Sequence, residues 1–205
     1  IIKLSLIMIS AVILAAGESR RMGKKNKLLL SIGGESLIVK LVKSVCASDV
    51  GQVLVVIGYE AEKIRKELNY FPLSFVHNSN FRKGMTASIK CGVNEVSPDC
   101  DGFLICLADM PLINTTEINK LIHAYFQKRI KGERLIVVPA FRGQHGNPIL
   151  FSNDFQNEIL EHKKDSGCKE VIINNYESVI EIEMDNNNVL LDVDTLEDYQ
   201  KATES

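Results

Sequence analysis

At 205 residues the chain is long enough for one sizeable domain that buries its own core without disulfides or metal staples. Its 45% apolar and 24% charged residues and formal net charge of -2 are those of an ordinary soluble globular protein, and they argue against a nucleic-acid binder, which usually carries net positive charge. The odd set of cysteines (Cys46, Cys91, Cys100, Cys106, Cys168) forms no CxxC pair and the histidines no HExxH, which sets aside a disulfide framework and a zinc site.

The first sixteen residues, IIKLSLIMISAVILAA, have the apolar look of a signal-peptide core, yet they carry one cation, Lys3, and are too short to span a bilayer. They also run straight into the glycine loop at Gly17. The expectation is therefore a cytoplasmic protein whose domain covers 8–205, with Met8 as candidate start and Ile1 to Ile7 as upstream sequence.

Strand-like and helical patterns then alternate. Ile9 to Leu14 reads as a strand, Leu37 to Ala47 as an amphipathic helix, and Gln52 to Gly58 as a strand. Glu60 to Leu68 is helical, Leu73 to His77 a short strand, and Met85 to Val96 helical. Gly102 to Ala108 is a continuous apolar run, as expected of a strand buried on both faces. Thr115 to Lys131 is helical with Thr115 or Thr116 as N-cap, Arg134 to Ala140 and Asn147 to Phe151 are strands, and Thr195 caps a last helix through Thr203 with Asp198 three residues on. The order predicts a single α/β domain of three layers, α/β/α and Rossmann-like, with a mostly parallel sheet that turns mixed near its edge around Gly143 and Gly146.

In such a sheet, ligands lie beyond the carboxyl ends of the strands, where strand order reverses. The loop after the first strand, GESRRMGKKNK from Gly17 to Lys27, gathers five cations in its last eight residues. It is not a P-loop, because five residues separate Gly17 from Gly23 and Lys25 follows Lys24. Nor is it a dinucleotide fingerprint, since Ser19 takes the second glycine's place and no third falls in register, which argues against a nicotinamide oxidoreductase. Solvated charge accounts for Arg20, Lys24 and Lys25 as well as any ligand does.

Gly17, Glu18, Ser19, Arg20, Arg21, Met22 and Lys27 resemble the signature of nucleotidyltransferases related to pyrophosphorylases, and the full form, LAAGxSxRMG with a lysine a few residues later, is similar to the molybdenum cofactor cytidylyltransferase branch of the MobA-like NTP transferase family. GMTASIKCGV (Gly84 to Val93), LADMP (Leu107 to Pro111), QHGNPILF (Gln144 to Phe151) and DVDT (Asp192 to Thr195) extend the likeness in order along the chain. The resemblance implies nucleotide-binding roles for Leu14, Ala15, Ala16, Gly17, Glu18, Ser19, Gly84, Ser88 and Asp109. It implies catalytic roles for Arg21 and Lys27, whose charges would neutralise a leaving pyrophosphate. A local backbone bond is the competing reading of Ser88. The sequence departs from the family at KDSGCK, where Lys164, Cys168 and Lys169 replace Gly, Ala and Arg. It departs also at Asn147, where histidine is commoner, and at Leu196, where proline is usual. His145, Asn147 and Lys169 are the candidates for gripping an acceptor.

Asp109 closes a buried strand that Pro111 then stops, which sets a carboxylate at the sheet's carboxyl edge. Asp192 and Asp194 flank Val193, and in extended chain they project to one side. Magnesium takes one or two protein carboxylates and completes its octahedron with waters and substrate phosphates, so Asp109 with Asp192 or Asp194 suffices for Mg²⁺. For Asp194 the alternative is a helix start shared with Thr195. No general base is needed if the acceptor is a phosphate monoester, already largely anionic at neutral pH because its second pKa is about 6. The residues reach a nucleotide-phosphate enzyme with a carboxylate-bound metal; the resemblance implies the rest, a Mg²⁺-dependent enzyme moving CMP from CTP to molybdopterin, with the molybdenum cofactor and a molybdenum hydroxylase apoenzyme as partners and no nucleic acid or membrane. Still open are GTP in place of CTP, a sugar or polyol phosphate acceptor, and a non-catalytic nucleotide or cofactor carrier.

Overall fold

A computed structural model of the chain describes residues 8–19, 26–130 and 132–204. Arg21, with the rest of Arg20 to Lys25, lies outside the described residues, as do Ile1 to Ile7. The elements in chain order are β1 (Ile9–Ala15), a small hairpin of β2 (Ser31–Ile32) and β3 (Glu35–Ser36), α1 (Leu37–Cys46), β4 (Gln52–Ile57), α2 (Ala61–Leu68) and β5 (Ser74–His77). Then come α3 (Met85–Val93), β6 (Gly102–Leu107), α4 (Thr115–Lys128), β7 (Ile136–Phe141), β8 (Gln144–His145) and β9 (Ile149–Ser152). The chain closes with α5 (Gln156–Glu161), α6 (Lys169–Asn174), β10 (Val179–Glu183) and α7 (Leu196–Glu204).

The main sheet runs β10-β7-β9-β6-β1-β4-β5, with β8 folded back on β7. β1 pairs in parallel with β4 on one side and β6 on the other, so that Val12 lies level with Leu54 and Ile105. Apart from Ser10 and Gln52, which hydrogen-bond each other, these strands are apolar, as suits a sheet covered on both faces. Ala11, Ile13, Val55, Ile57, Leu104 and Cys106 pack under α1, α2 and α4. Val12, Leu54, Val56, Phe103 and Ile105 pack under α3, α5 and α6. Full burial of one such large aliphatic side chain contributes about 1.5–3 kcal/mol, so this three-strand centre holds the carboxyl ends of β1, β4 and β6 rigidly. The mixed portion lies on the β10 side, where β9 runs antiparallel to both β6 and β7 and sits between them, while β10 forms the rim parallel to β7.

Several boundaries differ from expectation. The N-cap of α4 is Asn114, not Thr115 or Thr116: its side chain accepts the Glu117 N–H at 3.1 Å while Glu117 accepts the Asn114 N–H at 2.9 Å. The pair forms a capping box, and Glu117 is the only acid at the third position after a cap candidate in this stretch. α4 ends at Lys128 and α3 at Val93, both shorter than expected. Thr195 does cap α7, since its hydroxyl accepts the Asp198 N–H at 3.2 Å and Asp198 accepts the Thr195 N–H at 2.8 Å. No expectation covered β10, α5 or α6. Among the described residues no helix is long and apolar enough to cross a membrane.

Candidate active site

From β1 the chain moves through β4 to β5 in one direction, and β6 then returns to the other side of β1. The loops leaving β1 and β6 therefore part, and a cleft of about 640 Å³ opens over their carboxyl ends. Leu14, Ala16, Gly17, Glu18 and Ser19 line it from the β1 side, and Leu107 and Asp109 from the β6 side. Ala15 does not face the cleft: strand alternation sends it into the core with Ile13. Ser19 takes a left-handed conformation (φ 53°), and its hydroxyl accepts the Lys27 N–H at 3.2 Å, which closes the loop's two ends on each other.

Lys27 opens a single 3-10 turn, Lys27–Leu29, capped by the Asn26 side chain and anchored by buried Leu28. The turn aims the ammonium into the cleft, where Nζ donates to Asp109 Oδ2 and Asp194 Oδ1, each at 2.6 Å. Burial pulls the Lys27 pKa down, but Asp109 and Asp194 outweigh it and hold the ammonium above the usual lysine value. Lys27 is thus cationic at any working pH.

The two late aspartates arrive by one hydrogen bond. The Val193 N–H donates to the Asp109 carbonyl at 2.9 Å, and the Val193 side chain is buried with Ile32, Leu37 and Ala202. With Val193 turned inward, its neighbours turn out toward Asp109. Asp109, Asp192 and Asp194 each place a carboxylate oxygen within 4.8 Å of the others. Burial, then the charges of Asp109 and Asp194, push the Asp192 pKa above the ordinary carboxylate value. The Asp194 carboxylate belongs to this group, while at the helix start Asp194 contributes its backbone N–H to Asp198 beside Thr195. Among the described residues the three carboxylates carry more negative charge than the Lys27 ammonium offsets, and Asp109 Oδ1 is buried without a hydrogen-bond partner there. A hard oxygen set with that excess charge and an orphaned acceptor fits a divalent cation.

The opposite wall is the first turn of α3. Gly84, Met85 and Ser88 line it, with Phe81, Arg82 and Asp165 around them. The Ser88 hydroxyl does not bond local backbone: it accepts from Asn78 Nδ2 at 3.0 Å, both side chains being buried. Its proton is therefore free to point at a ligand. Arg82 reaches across the mouth to Glu18, Nε to Oε1 at 3.3 Å.

A smaller cavity of about 130 Å³ adjoins the cleft, sharing Leu107 and Asp192 with it and adding His145, Asn147 and Val189. The Asn147 N–H donates to the Val189 carbonyl at 2.9 Å, and exposed His145 lies 2.7 Å from Glu181 Oε1. Lys169 is not brought there: it is exposed at the first position of α6 and lines neither cavity. The neighbour that does reach the cleft from this segment is Asp165. Sequence reasoning missed Asp165, Asn78 and Arg82. Only Asp165 lay in a recognised segment, KDSGCK, whose aspartate is retained from the resembled pattern.

Comparison with known proteins agrees with this geometry. The MobA-like NTP transferase domain profile matches residues 11–179. The molybdenum cofactor cytidylyltransferase of Escherichia coli is 25% identical over 200 residues, 96% of each chain. The bifunctional protein GlmU of a Synechococcus species is 27% identical over 165 residues, 78% of this chain and 25% of that one, so this chain spans about a quarter of the length of such relatives. Rv0371c from Mycobacterium tuberculosis H37Rv has the same fold, with TM-score 0.85 over 97% of this chain and 99% of that one at 24% identity. A structure of Rv0371c in complex with manganese gives TM-score 0.79 at 23% identity over the same shares. With the profile spanning most of the sequence, the chain belongs to the MobA-like NTP transferase family of nucleotidyltransferases.

Proposed function

We propose that the protein transfers CMP from CTP to the terminal phosphate of molybdopterin and releases pyrophosphate, with Mg²⁺ held by Asp109, Asp192 and Asp194. The observation that carries this reading is the Lys27 ammonium, fixed between Asp109 and Asp194 beside a glycine loop at the sheet's switch point. A carrier that only held a nucleotide would need neither a fixed charge for a leaving group nor a carboxylate trio. The match to the E. coli cytidylyltransferase over nearly the whole of both chains supports the acceptor, and the manganese complex of Rv0371c supports the metal.

The chemistry asks little of the side chains beyond placement. An oxygen of the acceptor phosphate attacks the α-phosphorus, one P–O bond forms, and the bond from the α-phosphorus to the bridging oxygen breaks in line with it. The attacking oxygen is already anionic at neutral pH, so no residue removes a proton, and exposed His145 is not required as a base. The charge left on pyrophosphate falls to Lys27, which stays protonated throughout, and to Arg21 in the loop. Bound Mg²⁺ supplies charge neutralisation of the phosphates. Asn147 and His145, at the cavity next to Asp192, are placed to contact the acceptor.

The deciding assay is pyrophosphate release with each NTP, with and without molybdopterin. Release that needs CTP, Mg²⁺ and molybdopterin together is the expected result. Release with GTP alone among the nucleotides, or with sugar phosphates in place of molybdopterin, replaces the substrates. No release with any pair overturns the enzymatic reading.

A further inference from the structure

Gly84 stands at the head of α3 with φ 99° and has no side chain with which to cap it. The cap comes from 79 residues further on, where Asp165 Oδ1 accepts the Thr86 N–H at 3.1 Å. The Thr86 hydroxyl donates to the Lys164 carbonyl at 2.9 Å and accepts the Gly167 N–H at 3.2 Å. Three hydrogen bonds thus fasten the 164–167 loop to the first turn of α3. The fit allows no side chain at Gly84, because a Cβ there would lie 1.8 Å from Asp165 Oδ2. The carboxylate fills the volume that glycine leaves, and it lines the cleft together with Gly84 and Ser88.

A helix N-terminus with free N–H groups attracts anions. Here a carboxylate of the protein already occupies that position, so its charge disfavours a second anion at this end. At the other end stand the Lys27 ammonium and the glycine loop. At the Asp165 end the helix N–H is therefore already taken by a carboxylate, with Ser88 left as a hydrogen-bonding group, and phosphates are favoured at the Lys27 end instead.

We infer that Asp165 is a positioning residue for the nucleotide: it caps α3 in place of Gly84, holds the wall that carries Ser88, and assigns that end of the cleft to the nucleoside part of the NTP instead of its phosphates. This rests on the nucleotide reading of the cleft. It also moves the KDSGCK segment from the acceptor, where the resemblance puts it, to the nucleotide.

The test is calorimetric titration of CTP and, separately, of inorganic pyrophosphate into the intact protein. Asp165→Ala should weaken CTP about tenfold, the scale of a lost cap, while pyrophosphate binds as well as before or better. Asp165→Asn, whose amide oxygen still accepts the Thr86 N–H, should keep CTP within about threefold and tighten pyrophosphate by a similar factor, the scale of one removed charge at a helix end. Equal loss of CTP and pyrophosphate in Asp165→Ala would show a general structural support and overturn the assignment. So would wild-type CTP affinity in that variant. If Asp165→Ala does not fold, Asp165→Asn decides by itself, and unchanged pyrophosphate affinity overturns the charge argument. Wild-type protein that binds neither ligand sinks the nucleotide reading and this inference with it, a result distinct from either variant outcome.

Discussion

Lys27 does two jobs that a substitution separates. Its ammonium bridges Asp109 and Asp194 at 2.6 Å each, where a divalent cation would also be held. In the proposed reaction it also meets the leaving pyrophosphate. Lys27→Met should lower kcat roughly 10²-fold or more, as losing a preorganised charge-stabilising donor does. The same variant should bind Mn²⁺ more tightly in the absence of nucleotide, because the carboxylates lose their internal counter-ion. Titration of Mn²⁺ by electron paramagnetic resonance checks this, and weaker binding in the variant would place the metal elsewhere. Ala16 governs a second choice. It is 2% exposed and lines the cleft beside the glycine loop, where in the proposed reaction its methyl would narrow the slot for the base. One methyl is worth about 1–3 kcal/mol, so CTP should be preferred over GTP by roughly 10- to 200-fold. Ala16→Gly should raise kcat/KM for GTP, and comparing both nucleotides in both proteins measures it.

At the scale of elements, the position of α3 decides the cleft wall that carries Gly84 and Ser88, and the close fit at Gly92 sets the position of α3. A Cβ on Gly92 would come within 2.3 Å of Val12 Cγ1 and 2.7 Å of Val56 Cγ2, so the helix lies on β1 and β4 as closely as only glycine allows. Overpacking of this kind costs about 1–3 kcal/mol and pushes the helix outward. Gly92→Val should therefore lower the unfolding free energy by that amount, read as a lower urea midpoint, and weaken CTP binding as well, although the residue is not among those lining the cleft. Stability lost with CTP affinity intact would mean that the wall is set by Asp165 and its loop alone. The same logic explains the shortness of α5 and α6: each needs only one or two buried contacts, Ile159 and Val171, to cover the sheet face beside α3.

For the molecule as a whole, the carboxylate trio sets a cost that ligands relieve. Burial and the charges of Asp109 and Asp194 raise the Asp192 pKa in the folded protein. Between its unfolded value, about 3.9 for an ordinary aspartate, and the raised one, the native state binds more protons than the unfolded chain, so this group's contribution to stability falls as pH rises through that window. A bound cation offsets the repulsion. The rise in Tm produced by Mn²⁺ should accordingly grow as pH rises from about 4 toward neutrality, where the carboxylates ionise. CTP with the metal should add further, by about 2.7 kcal/mol when the ligand is at a hundred times its Kd. A metal-induced shift that stayed constant with pH would count against the trio as the site.

The sequence by itself determined the central strands, because continuous apolar runs such as Gly102 to Leu107 can be satisfied only by cover on both faces. It also determined that Asp109 sits just past the carboxyl end of one of them and that Asp192 and Asp194 share a side, since both follow from local periodicity. Asn114 was legible in principle through Glu117 three residues on, in a stretch crowded with rival caps. β10 was not: after Val179, apolar and acidic residues alternate over only four positions, Ile180 to Glu183, and such a short rim strand exists only because β7 offers it an edge. Nor could the sequence show that Lys27 meets Asp194, that Asn78 holds Ser88, or that Asp165 caps a helix beginning 80 residues earlier. Those pairings join segments far apart in the chain, and no local pattern encodes them. They are decided when β6 crosses to the far side of β1 and the buried Val193 draws the closing segment down onto Asp109, because only the packed core fixes which distant polar groups share a dry, confined space.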